Sequence, residues 1–219
     1  MKHFKHILVF FFLLILLIGC EKYKLKQPTS LALSWKMVNN DNQSNSVELT
    51  GGKLNSDEFS VEGKRVEGED VKIDQSFIAS VISFNTNQAL GLNVDVPIGN
   101  YTEFKLKLGA NSLDGYSFKL NGIYHGSDDI AVRIEWNTEQ VLEFVNYNSF
   151  ELEKDKNYSC ILELDRQELL QDISSIQWQN ATVTLENSIP TIVISKDFNS
   201  IIFSEINERV SSALHLSIE

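Results

Sequence analysis

The sequence predicts an all-β protein, an antiparallel β-sandwich of about ten strands with a short C-terminal α-helix. Three observations lead there. From Leu31 onward apolar and polar residues alternate with a period of two, the repeat of a half-buried strand. The alternating runs return at roughly the 8–12-residue interval of sandwiches and barrels. Turn-forming residues punctuate them: Gly51-Gly52, Pro97-Ile98-Gly99-Asn100, Asp114-Gly115 and Asn121-Gly122.

Taken in order, Leu31, Leu33, Trp35 and Met37 alternate with Ala32, Ser34 and Lys36, a first strand. The Asn-rich stretch 39–46 reads as a loop. Further strands are predicted over 47–50, 53–63, 71–84, 89–96, 101–108, 116–125, 129–136 and 140–147, then 158–165, 181–186 and 190–195. Residues 166–172 suit one or two helical turns. Near the end, Ile202, Ile206, Val210, Ala213 and Leu214 fall on one helical face, with Asn199 or Ser200 as the N-cap. No repeat or second linker interrupts residues 31–219, which read as a single domain.

The residues ahead of that domain have a different character. Lys2 and Lys5 precede twelve unbroken apolar residues, Ile7 to Ile18, and then Gly19-Cys20. A basic head with so short an apolar run is a secretory signal, since a spanning helix needs about 20 residues. Leu17-Ile18-Gly19-Cys20 resembles the lipobox of bacterial lipoproteins, although Ile18 is bulkier than the Ala or Ser commonest there. The resemblance implies acylation of Cys20, palmitate among the chains, and cleavage before it. Residues 1–19 are then the signal, 20–30 a lipidated tether, and the lipid bilayer a partner through Cys20. Two acyl chains anchor stably where one does not, each buried CH₂ contributing about 0.8 kcal/mol.

Charge follows the same division. The whole chain has 19 basic and 30 acidic side chains, a net of −11. Lys22, Lys24 and Lys26 follow the anchor, whereas residues 27–219 carry 14 basic and 29 acidic side chains, a net of −15. An acidic domain argues against a nucleic-acid partner, which requires a basic face. With 42% hydrophobic and 22% charged residues, the chain has enough apolar material for a core.

Three stretches carry a resemblance beyond the lipobox: Val61-Glu62-Gly63-Lys64-Arg65-Val66-Glu67-Gly68-Glu69-Asp70-Val71, Val94-Asp95-Val96-Pro97-Ile98-Gly99-Asn100-Tyr101-Thr102-Glu103-Phe104, and Ile194-Ser195-Lys196-Asp197-Phe198-Asn199. In the second, a strand enters a Pro-x-Gly-x-Tyr turn and leaves as another. Together they resemble uncharacterised β-sandwich lipoproteins of the Bacteroidota cell envelope, a likeness that implies fold and location rather than an activity. Surface-exported lipoproteins of that phylum carry an acidic run after the cysteine. Glu21-Lys22-Tyr23-Lys24 is not one, so the periplasmic side of the outer membrane is expected over the cell surface.

Chemistry is sparse. There is no Gly-x-Ser-x-Gly elbow. Past the signal the only histidines are His125 and His215, too few for a zinc site. Asp128 and Asp129 beside His125 are conceivable calcium ligands, but a solvated loop suits them better. No catalytic residue, metal or cofactor is assigned. Cys160 shares parity with Tyr158, Leu162 and Leu164 and is expected in the core, as are Trp35 and Trp136. Trp178, where the alternation slips, and Tyr147, in an Asn-rich turn, are the candidate ligand contacts. The function that follows is a membrane-anchored, non-enzymatic envelope domain binding a protein partner or a small glycan. A structural subunit of a lipoprotein-derived pilus is the alternative, and an envelope hydrolase a third.

Overall fold

The computed structural model describes residues 27–38, 47–85, 87–112 and 115–219. The predicted signal peptide, Cys20, the loop 39–46 and Asp114 lie outside them. The described chain is all-β in character, with thirteen strands and three short helices. The strands are β1 (Pro28–Val38), β2 (Val47–Arg65), β3 (Val71–Asn85), β4 (Asn87–Pro97), β5 (Gly99–Ala110), β6 (Phe118–His125), β7 (Asp129–Trp136), β8 (Gln140–Asn146), β9 (Phe150–Leu152), β10 (Tyr158–Asp165), β11 (Val183–Glu186), β12 (Ile189–Ile194) and β13 (Leu214–Ile218). The helices are α1 (Arg166–Leu169), α2 (Ser175–Gln179) and α3 (Ser200–Arg209).

Two parts of the predicted architecture are corrected. The strands form one sheet in the order β11-β12-β7-β6-β2-β5-β8-β13-β10-β1-β4, with β3 on β2 and β9 on β5, in place of two stacked sheets. The sheet is mixed rather than antiparallel, because β1 with β10, β12 with β7 and β13 with β8 run parallel. The sheet also curls. β6 and β5 share one edge of β2, so in a flat sheet Trp35 on β1 would lie four strand spacings, about 19 Å, to the side of Phe118 on β6. Their ring centroids are nevertheless 6.4 Å apart, and Trp35 also meets Phe144 of β8 at 5.8 Å and Phe84 of β3 at 4.1 Å. The inward residues of the alternating strands therefore fill a single enclosed core.

β2 holds this arrangement together. One of its edges pairs with β6 over Val47 to Leu54 and with β5 over Phe59 to Arg65, while β3 takes the other edge. At the handover, buried Asn55 donates its backbone N–H to Ser117 O at 2.9 Å and its Nδ2 to Tyr116 O at 2.7 Å. Gly51-Gly52, predicted as a turn, lies inside β2. A Cβ on Gly52 would sit 2.4 Å from Lys119 O and 2.6 Å from Phe84 Cζ, so close approach between neighbours, not a turn, requires glycine there.

The helices pack on the same core. Leu169, Leu170, Ile173, Ile202 and Ile206 are buried in it. Trp136 Nε1 donates to Asn207 Oδ1 at 2.9 Å, which ties α3 to β7. Two boundaries also differ from expectation. The first described strand, β1, starts at Pro28, ahead of the alternation predicted from Leu31. The predicted C-terminal helix stops at Arg209, and Leu214–Ile218 is a strand between β8 and β10.

Candidate functional site

Consecutive antiparallel strands joined by a tight link ordinarily pair, yet among the described residues no ladder joins β3 to β4. The ladders on their other edges explain it. Ser56 faces Ser80 and Glu58 faces Ser76, so residues 77–79 of β3 bulge opposite Asp57. Ala32 faces Asn93 and Ser34 faces Ala89, so residues 90–92 of β4 bulge opposite Leu33. A bulge bends its strand, and two of them splay the hairpin into a seam. At the open end a cavity of about 420 Å³ separates Val71 and Ile73 of β3 from Asp95 and Pro97 of β4. The curled sheet is left unclosed along this line.

The open end is firmly built. Arg65, ending β2, donates from Nε to Glu69 O at 2.7 Å and from Nη1 to Ile98 O at 3.2 Å, linking the β2–β3 turn to the β4–β5 corner. In that corner Tyr101 Oη donates to Pro97 O at 2.5 Å. This bond gives the Pro-x-Gly-x-Tyr pattern its meaning: Gly99 turns the chain at φ +138, and the phenol pins the strand just left. Tyr101 stacks on Phe150 with centroids 5.2 Å apart, and burial pushes its phenol up to about 12. Gly63 makes room, since a Cβ there would lie 2.6 Å from Tyr101 Cε1.

Along the seam, Ile73, Phe77 and Ile82 from β3 and Leu90 and Leu92 from β4 are half-buried against the core. From Gln75 to Val94 the sequence has no Asp, Glu, Lys or Arg, twenty residues in a chain that is 22% charged. Within this stretch Ile78 is 92% exposed. Elsewhere the outer face of the sheet is heavily charged. Lys107 lies 2.9 Å from Glu62 and 3.5 Å from Glu143, Lys64 lies 2.7 Å from Glu103, and Lys36 lies 3.2 Å from Glu163. The hydrogen bond from Lys107 holds Glu62 below the usual carboxylate range, and that from Lys64 does the same for Glu103. Such a face belongs in water, because cations facing hydrocarbon are costly. Sequence reading passed over the seam, although a simple charge census would have singled out 75–94.

The candidate residues do not converge on one place. Trp178 lies in α2, 4% exposed, stacked on Tyr124 at 6.1 Å, with its ring turned into the core. Ser174 and Gln177 form a capping box that starts this helix, which is why strand alternation misjudged it. Tyr147 is 72% exposed, beside the β8–β9 turn. His125 Nδ1 is 2.8 Å from Asp129 Oδ1 and Nε2 is 3.4 Å from Glu48 Oε2; the Asp129 hydrogen bond, then the Glu48 one, raises its pKa above the ordinary value. His215 Nε2 lies 3.1 Å from Glu168 Oε2. Among the described residues no three His, Cys, Asp or Glu side chains are grouped to hold a metal. Cys160 is fully buried, and burial pushes its thiol up to about 12, which keeps it protonated and inert.

A second concavity, about 360 Å³, lies between α2 and the start of α3, with exposed Ile176 and Ile201 on its walls. Comparison with known protein families, with curated proteins and with solved structures finds no match.

Proposed function

We propose that the chain is a lipid-anchored domain of the bacterial cell envelope that binds a partner molecule rather than catalysing a reaction. The seam between β3 and β4 carries the binding half of this reading: it leaves backbone donors and acceptors on two strand edges without a ladder, bordered by apolar side chains and an uncharged surface. Unpaired edges of this kind recruit other polypeptides, so a protein partner is favoured over a small glycan. For a glycan, the exposed ring of Tyr147 is the remaining stacking surface.

The anchoring half rests on Leu17-Ile18-Gly19-Cys20. The charged outer face of the sheet goes with a domain standing in water beside a membrane, not within it. The outer membrane, on its periplasmic side, fits the absence of an acidic run after Cys20, and the likeness to Bacteroidota envelope lipoproteins points to the same compartment. Metabolic labelling with radioactive palmitate tests the anchor. Label should enter the wild-type chain and be lost in Cys20→Ser; a Cys20→Ser chain labelled as strongly as wild type would overturn it.

A further inference from the structure

We infer that the β3–β4 seam is an acceptor slot for one extended segment of a different polypeptide, non-acidic and apolar at alternate positions, which pairs with both edges and closes the sheet. The inference deepens the binding-domain reading and does not depend on the lipid anchor.

Three observations carry it. First, the unladdered edges of β3 and β4 lie on either side of one opening, from their link at 85–87 to the 420 Å³ cavity. Rows of N–H and C=O groups at strand spacing are matched by another strand; a sugar or an acyl chain offers no such repeat. Second, Ile73, Phe77, Ile82, Leu90 and Leu92 remain half-buried along the opening. A strand whose alternate side chains point inward would cover them. Third, charge selects the occupant. Residues 75–94 are uncharged, while around the open-end cavity Glu69, Asp70 and Asp95 outnumber Arg65 and Lys72. Arg65 is already engaged with Glu69 O and Ile98 O. An acidic segment would be repelled; a neutral one, or one with a basic residue at the open end, would not.

Among the described residues no strand is free to fill the slot, since each already stands in a ladder, and the other stretches of the sequence suit it poorly. Residues 39–46 contain no apolar side chain, and 7–18 are continuously apolar without alternation. Tyr23 and Leu25 do alternate with lysines. However, Gln27 O accepts from Ile98 N at 2.9 Å, so the chain enters the domain beside the β4–β5 corner. From there, preceding residues would have to cross the end of β4 and double back. A second copy would bring another net charge of −15 against the first.

Amide hydrogen exchange on the full chain in mild detergent tests the slot. The probe is a synthetic heptapeptide of alternating threonine and valine ending in lysine, at millimolar concentration. Two controls accompany it: the same peptide N-methylated at alternate amides, and one with aspartate for threonine. The outward amides of 71–76 and 93–96 should exchange freely in the protein alone and about tenfold more slowly with the probe. Neither control should slow them. Equal protection by the N-methylated peptide would overturn the proposal, since no ladder could then be responsible, and so would no protection by any peptide. Protection without peptide that rises with protein concentration would identify a second copy instead. Concentration-independent protection, lost on replacing Lys22, Lys24 and Lys26 by serine, would identify the chain's own leading segment. None of these results touches the anchoring half of the proposed function, which the Cys20→Ser labelling decides separately.

Discussion

His125 is the side chain whose charge responds most directly to its neighbours. It closes the β6–β7 hairpin between Asp129 on β7 and Glu48 on β2, with about half of its side chain open to solvent. Both carboxylates favour the imidazolium, so the folded pKa lies above the ordinary 6.5. For a cation held this way, the stabilising contribution is complete below the unfolded value and disappears as pH rises through the folded one. Proton NMR titration should place the His125 midpoint above 6.5, and Asp129→Asn should lower it. An unchanged midpoint in the variant would remove Asp129 as the principal cause. Residue environments were readable wherever strand parity applied: Trp35, Trp136 and Cys160 point inward as their alternation predicts. Trp178 was misjudged because parity has no meaning on a helix, although Ser174 and Gln177 at capping-box spacing were there to be read.

At the scale of the element, the C-terminus is the instructive case. Ile202 and Ile206 do face the core from α3, but Val210, Ala213 and Leu214 continue the helical spacing past the point where the helix stops. Leu214 and Leu216 also fit a period of two, and that pattern prevails because β10 offers a ladder from Cys160 to Leu164. The two assignments differ in a measurable way. As a strand, Leu216 is buried and Ser217 points outward beside Glu163, 3.3 Å away. Leu216→Ala should then cost about 2–4 kcal/mol in denaturant unfolding, the range for a truncated core leucine, and Ser217→Ala less than about 0.5 kcal/mol. Comparable losses at both positions would contradict the strand. The joining of 47–50 and 53–63 into β2 was hidden for another reason. Two adjacent glycines signal a turn locally, and only the approach of Lys119 and Phe84 from β6 and β3 shows why a strand needs them.

For the whole molecule, strand content and the location of the core were legible, but sheet order was not. Local alternation says which residues face inward and nothing about which distant strand lies alongside. Leu31 pairs with Tyr158 and Thr191 with Ala131, both in parallel. Parallel neighbours require crossovers that no turn motif announces. The seam was hidden in the same way, since two bulges become visible only when registers are compared. This topology makes a kinetic prediction. A sheet dominated by distant pairings pays loop-closure entropy before contacts reward it, so refolding from denaturant should take milliseconds to seconds or longer. Stopped-flow tryptophan fluorescence checks this through buried Trp35 and Trp136; complete refolding within microseconds would be incompatible with the β1–β10 ladder.

The same ladder sets a timetable for a newly made chain. β1 is the first of the described strands to emerge and can meet β4 early, but its other edge belongs to β10, whose residues follow 127 positions later. At ordinary synthesis rates of about 5–20 residues per second, that edge waits on the order of ten seconds. Throughout the wait Leu31, Leu33, Trp35 and Met37 have no complete core to enter. Among the described strands β1 therefore waits longest for its partner, and a chaperone would serve it most.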